Sequence, residues 1–226
     1  SPALHILAER EKEIRAFKGE KYWIITGIFE TKNKEKLTLA CEEEPKEEKE
    51  TERIIAAAKS NPWKVLSIKQ TEIKRSPRPP LMTSTLQQMA SSYLGFAPSK
   101  TMSLAQKLYE RGLISYMRTD SLFLSTEALS KIHSEIIKRF GNEYLAPRTY
   151  TTKSKSAQEA HEAIHPTKIN ILTTGKSDDQ DKVYKLIWER TITSQMSDVK
   201  MLKTKISANI DDKETIPNFA VVGSIT

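Results

Sequence analysis

The chain has 226 residues, a formal net charge of +7, and 38% hydrophobic against 29% charged residues. That is enough for one large or two smaller domains with a real core, and the balance excludes an intrinsically disordered chain. No apolar run approaches the roughly 20 residues that span a bilayer, no signal peptide opens the chain, and the single cysteine, Cys41, rules out an internal disulfide and fits a reducing, cytoplasmic compartment.

Ser1 and Pro2 read as a helix start, with a hydroxyl cap and proline at the first helical position. Leu4, Leu7, Ile14 and Phe17 share one face of that helix, and Gly19 can end it. "KYWIITGIFE" (21–30) reads as a strand and "KLTLAC" (36–41) as a second. Residues 42–52 hold seven glutamates and two lysines, a solvated stretch leading into a helix at "ETERIIAAAKS". "WKVLSIKQTEIKRS" predicts a long strand. "SPRPP" (76–80) excludes regular helix and marks a boundary.

After that boundary the pattern turns helical. Leu86, Met89, Ala90, Tyr93 and Leu94 form one face, closed by Gly95; a second helix, "TMSLAQKLYERG", turns Leu104 and Leu108 inward. "LISYMRT" is short, apolar and extended. "STEALSKIHSEIIKRFG" is amphipathic, with Ser125 as cap, Leu129, Ile132, Ile136, Ile137 and Phe140 as stripe, and Gly141 as stop. Pro166 ends whatever helix "AQEAHEAIHPT" forms, "DKVYKLIWERTITSQM" is helical, and "TKISANI" and "FAVVGSIT" are strands. The class expected is α+β, with early and late strands in one sheet and the helical middle inserted between them.

Charge is focused on that middle. From Ile73 to Arg118 there are seven cations and one anion, Glu110. Such a basic segment is the footprint expected of a nucleic-acid partner. It surrounds "GLISYMRTDS" (112–121). Side chains two apart on an extended segment share a face, so Tyr116 and Arg118 project together. A guanidinium favours a phenolate over a phenol, whose unperturbed pKa is about 10, and it can bind a phosphate through two parallel hydrogen bonds. A phenol attacking a phosphodiester gives an aryl ester with a good leaving group, so the bond energy is kept without a nucleotide cofactor. The bland alternative is a core tyrosine next to a surface arginine.

"PRPPLMTSTLQQMASSYLGF", "TMSLAQKLYERGLISYMRTDS" and "SAQEAHEAIHPT" together resemble the cleavage domain of type IA DNA topoisomerases, with the bacterial type I enzymes as the nearest branch. "SPALHILAEREKEI" resembles the helix entering that region. The resemblance implies that Tyr116 is the nucleophile, forming a 5′-phosphotyrosyl link to single-stranded DNA, and that Arg118 stabilises the scissile phosphate. His161 corresponds to the family histidine near the phosphate. Gln106 and Glu110 line the nucleotide pocket, and Thr119, Asp120 and Ser121 complete the motif by fixing its loop. Where the family usually reads "EAIRP", this chain has His165, which is not assigned a catalytic role.

The resemblance also implies an α+β, multidomain architecture. A β-rich hinge takes residues 19–78 and 202–226, and a helical cleavage domain with a helix-turn-helix-like core takes 79–170. Helices 1–18 and 178–201 fall in an incomplete third region that holds DNA. The family's Toprim domain, whose acidic cluster binds magnesium, has no match here. The chain therefore reads as a piece of a larger enzyme, inactive alone, with no metal ligands of its own. Its partners are single-stranded and negatively supercoiled DNA and the remaining domains of the parent, with no membrane. A different class remains open from the residues alone, a non-catalytic helix-turn-helix or winged-helix reader with 101–111 as recognition helix and Lys107 and Arg111 on DNA. A metal-dependent nuclease finds no Cys/His ligand spacing in support.

Overall fold

In a computed structural model, residues 1–151, 161–211 and 216–226 are described. The chain divides into two compact units, one of Ser1–Ile73 with Met201–Thr226, the other of Lys74–Lys200.

In the first unit, α1 (Pro2–Ala16) starts at proline as expected, though Ser1 makes no side-chain cap bond and the helix ends at Phe17 rather than Gly19. It buries none of its residues, and Leu4, Leu7 and Phe17 stay exposed. Ion pairs such as Arg10–Glu13 (2.7 Å) and Arg15–Glu11 (3.1 Å) lace its surface, each contributing only a few tenths of a kcal/mol.

One antiparallel-paired sheet follows, from β1 (Thr26–Glu30), β2 (Lys36–Cys41), β3 (Trp63–Arg75), β4 (Val199–Ile210) and β5 (Phe219–Ile225), in the order β1-β2-β5-β4-β3. The early and late strands thus share a sheet, and the helical stretch is inserted between the neighbouring strands β3 and β4. β1 is shorter than "KYWIITGIFE" suggests, with Trp23 N–H instead bonding the Pro45 carbonyl (3.0 Å). Helix α2 (Glu48–Ser60) closes a core of Leu39, Ile54, Ala57, Ile210 and Phe219. Trp63 stands edge-on to both Phe29 and Phe219 in it, at 4.6 and 5.1 Å between ring centroids. Such aromatic contacts add to the burial itself.

The second unit is built on α3 (Thr83–Leu94), α4 (Pro98–Glu110), α5 (Thr126–Phe140) and α6 (Asp178–Ser194). Leu86 and Ala90 of α3, Leu104, Ala105 and Leu108 of α4, and Val183, Tyr184 and Ile187 of α6 pack with Ile114, Met117 and Ile164 into one core. A second cluster gathers Ile132 and Ile136 of α5 with Leu124, Ala163, Ile169 and Ile192, and Trp188 packs against both. Grouping 178–201 with the first helix therefore does not describe the packing, because the apolar stripe of α6 belongs to the core of α3 and α4. Ser125 caps α5, accepting from the Ala128 N–H (3.2 Å). Gly95 ends α3 with φ of 67°, a left-handed conformation that glycine adopts at little cost.

Further sequence expectations change, among them the inward place of Ile137 and Phe140, which are 44% and 41% exposed. Tyr93 lies 70% exposed rather than inward. Its neighbour Leu94 still packs against the core, so the side of α3 that carries Tyr93 is turned away from it. The described part of "AQEAHEAIHPT", 161–166, is extended, not helical. Its backbone is taken up elsewhere, with Ile164 bridging Leu81 and Pro166 bridging Ile114. Residues 157–160 lie outside the described ones.

Candidate active site

The segment from Leu113 to Phe123 forms no named strand and is bent at Leu113, Ser115, Met117 and Arg118 rather than extended throughout. Tyr116, Arg118 and Asp120 are exposed, while Met117, Thr119 and Ser121 are buried. From Tyr116 to Ser121 exposed and buried side chains alternate, with one side of the segment on a core. Met117, 1% exposed, is the apolar anchor between the tyrosine and the arginine.

Backbone-directed hydroxyls hold the segment in place. Thr83, the first residue of α3, accepts from the Thr119 N–H (2.9 Å), and its hydroxyl faces the carbonyls of Met117 (2.8 Å) and Thr119 (3.0 Å). The Thr83 N–H returns a bond to the Thr119 carbonyl (2.9 Å). Thr119 Oγ1 then accepts from Ser121 N–H (3.0 Å), and Ser121 Oγ from Phe123 N–H (3.1 Å). The hydroxyls of Thr119 and Ser121 thus turn into the loop, and Asp120 stays on the exposed side.

A second set of bonds ties Tyr116 to the histidine segment. Ser115 N–H donates to the His165 carbonyl (2.9 Å), Ser115 Oγ donates to the Ala163 carbonyl (2.8 Å), and the same oxygen accepts from His165 N–H (2.9 Å). Ala163 N–H reaches the Phe123 carbonyl (2.7 Å). This brings His161 to Tyr116 across 45 residues of sequence, with ring centroids 6.2 Å apart. His161 also forms one wall of an open cavity of about 400 Å³ with Arg118, Thr119, Asp120, Thr83 and Gln87. His161 is thus the common neighbour of Tyr116 and of the cavity into which Arg118 is set. The N-terminus of α3 opens onto the same cavity, which favours an anion there.

Gln106 and Glu110 sit one turn apart on α4, joined by a hydrogen bond from Nε2 to Oε1 (2.9 Å). Between them in sequence, Tyr109 stands edge-on to Tyr116 at 5.3 Å. Neither Tyr109 nor Thr83 was singled out from the sequence. Tyr109 carries no motif signal, but an aromatic on the α4 face leading into "GLISY" could have raised the question. Thr83 could have been suspected from "TST" opening a helix.

His165 is 7% exposed, with Nε2 facing Glu162 Oε2 (2.9 Å) and Nδ1 facing the Pro166 carbonyl (2.9 Å). Both nitrogens are committed inside the protein. Burial pushes the Glu162 carboxyl up, but the hydrogen bonds from Ser125 and His165 outweigh it and hold the group below its ordinary value of 4.5. His133 faces Gln195 (3.3 Å), a structural contact.

The basic segment divides by role. Lys100 pairs with Asp179 (2.7 Å), and Arg111 bonds Gln180 (2.9 Å) and the Thr174 carbonyl (2.8 Å). Arg111 is therefore spent on anchoring the start of α6, and Thr101, Leu104, Ala105 and Leu108 are buried. A recognition helix at 101–111 would need that arginine free. Tyrosines differ too. Tyr184 is fully buried, and burial pushes its phenol up to about 12, while Tyr116 is 39% exposed. Among the described residues no three His, Cys, Asp or Glu side chains gather to hold a metal ion. No described helix is long and apolar enough to cross a membrane.

The family described as DNA topoisomerase matches residues 1–223. DNA topoisomerase 1 of Rickettsia felis is 41% identical over 237 residues, covering 95% of this chain and 30% of the relative. That of Helicobacter pylori strain J99 is 42% identical over 217 residues, covering 88% and 30%. A solved structure of full-length topoisomerase I from Thermotoga maritima superposes with a TM-score of 0.73 at 32% identity, covering 98% of this chain and 36% of that one. The chain thus spans about 30% of the length of the curated relatives it matches. With the tyrosine, arginine and histidine motifs gathered in one helical unit, and with a family match over nearly its full length, this chain belongs to the type IA DNA topoisomerases.

Proposed function

We propose that the chain supplies the strand-cleaving part of a type IA topoisomerase that relaxes negatively supercoiled DNA in the bacterial cytoplasm, at the nucleoid. The carrying observation is the placement of Tyr116, exposed and beside His161, which shares a cavity with Arg118. The Tyr116 oxygen attacks a phosphorus of single-stranded DNA as the bond from phosphorus to the 3′-oxygen breaks. The phenolic proton is lost and the departing 3′-oxygen gains one, leaving a 3′-hydroxyl and a 5′-phosphotyrosyl end. Reversal of the same step rejoins the strand without ATP.

Arg118 offsets the charge that builds on the phosphoryl oxygens, and His161 contacts the phosphate or the adjoining nucleotide. Gln106 and Glu110 line the nucleotide pocket beside Tyr109. Thr119, Asp120 and Ser121 hold the loop and border the strand. The sheet unit acts as the hinge. Magnesium, where the reaction uses it, is held by a Toprim domain elsewhere in the parent, which would supply charge stabilisation at the cleaved bond.

The test is made in the full-length protein. Tyr116→Phe abolishes the denaturation-resistant adduct with single-stranded oligonucleotides and leaves their binding intact. Arg118→Ala slows adduct formation about a hundredfold, the usual effect of losing one charged stabiliser worth about 3 kcal/mol. An adduct that survives Tyr116→Phe defeats the proposal.

A further inference from the structure

A second cavity, of about 470 Å³, adjoins the first and plays no part in the cleavage step. That size falls in the range of ordinary ligand sites. Its walls include Arg78, Arg190, Gln88, Ser92 and Tyr93, and no carboxylate. Met82 borders both cavities.

Its two arginines are unusual partners. Arg190 is half-buried, and its guanidinium has only the Pro79 carbonyl at 3.5 Å and the Met89 sulfur at 3.1 Å. Neither Arg78 nor Arg190 enters an ion pair among the described residues. Burial and the nearby Arg78 cation both disfavour the charged form of Arg190. Two like charges beside one cavity, with no anion in its walls, repel each other, and a bound anion reverses that cost. Tyr93, 70% exposed at the same cavity, offers a bare ring face.

The stretch between the cavities is as suited to a polyanion as the cavities are. Helix α3 carries no charged residue. Thr83, Ser84 and Gln87 line the Arg118 cavity, and Thr85, Gln88 and Ser92 line the Arg78/Arg190 cavity. The exposed arc joining these two sets holds Ser84, Gln88 and Ser91, hydroxyls and an amide that can donate to phosphate. A helix about 10 Å across separates the two sites, a span that a few nucleotides cover.

From this arrangement we infer that the Arg78–Arg190 cavity is a second single-strand DNA site, holding a backbone phosphate between the two guanidiniums and a base on Tyr93, a few nucleotides along the strand from the phosphate at Arg118. This rests on the reading that Tyr116 works on single-stranded DNA. The two arginines act by charge-assisted bonds to phosphate, and the stacking is tolerant of base identity, so the site binds without sequence preference.

The experiment uses the full-length protein carrying Tyr116→Phe, so that binding is measured without covalent capture. Fluorescence anisotropy follows a labelled oligothymidylate long enough to span both cavities, across a salt series. Arg78→Gln and Arg190→Gln should each weaken binding about tenfold at low salt and flatten the slope of log K against log salt by about 0.7. Tyr93→Ala should weaken binding at least fivefold with the slope unchanged. Arg78→Lys should keep the slope. Arg78 and Tyr93 are exposed, so these variants remain informative if Arg190→Gln fails to fold.

Unchanged affinity and slope in Arg78→Gln and Tyr93→Ala overturn the inference, as does a loss confined to duplex DNA. Adduct formation by the protein with Tyr116 intact is assayed in parallel. Its absence would defeat the cleavage reading alone, and its presence with unaltered binding by the variants would defeat the second site alone.

Discussion

Replacing Thr83 by valine tests whether α3 positions the loop that carries Arg118. The swap keeps shape and volume, so no cavity opens, but it removes the hydroxyl. The Thr119 N–H (2.9 Å) and the Met117 carbonyl (2.8 Å) then lose their partner, in residues only 6% and 1% exposed. The Thr119 carbonyl keeps the Thr83 N–H. An unsatisfied buried backbone group costs about 1–3 kcal/mol. Two such groups at the low end of that range give about 2 kcal/mol. At about 4 °C per kcal/mol for a domain of this size, the 226-residue chain should melt about 8 °C lower.

In the full-length protein the same change loosens the 117–119 backbone, and a displacement of about 1 Å can cost up to a hundredfold in rate. Adduct formation should therefore slow at least tenfold, while affinity for single-stranded DNA stays within about twofold. Thr83→Ser keeps the hydroxyl and should restore both rate and melting temperature. Thr83→Val with wild-type stability and cleavage, or Thr83→Ser as impaired as valine, refutes the argument.

Two further outcomes are expected. Glu162 is held below its ordinary value of 4.5 in the folded chain, so its bonds to Ser125 and His165 stabilise the fold above about pH 4.5 and are lost as pH falls through the lower folded value; the gap in urea midpoint between wild type and Glu162→Gln should be open at pH 7 and close towards pH 3, and a gap independent of pH contradicts it. The 226-residue chain alone should not relax negatively supercoiled plasmid, with or without magnesium, because relaxation needs the freed 3′-end held while a strand passes; relaxation that disappears with Tyr116→Phe would show otherwise.

Local signals in the sequence determined a good deal. Proline at position 2, Ser125 before "TEAL", Gly95 after "SYL" and the apolar stripes at 3.6-residue spacing placed helices α1 to α6, because caps and amphipathic faces act within a few residues of themselves. The two-residue spacing in "SYMRT" also put Tyr116 and Arg118 on one side, while only the folded chain decided that this side is exposed. The sharing of one sheet by early and late strands could be anticipated too, since the two late strands alone make a marginal sheet at best.

What the sequence left open depends on contacts between distant residues. Whether 161–166 is helix or extended chain was decided by Leu81, Ile114, Phe123 and Ser115, which take up its backbone bonds and so bring His161 to Tyr116. The place of α6 was decided by where its stripe of Val183, Tyr184 and Ile187 found cover. The fates of the cations were set the same way, since Arg111 is spent on Gln180 and Thr174 while Arg78 and Arg190, 112 residues apart, meet beside one cavity. Periodicity reports which face of an element is apolar, but the partner of that face lies beyond its range, and only the folded chain supplies it.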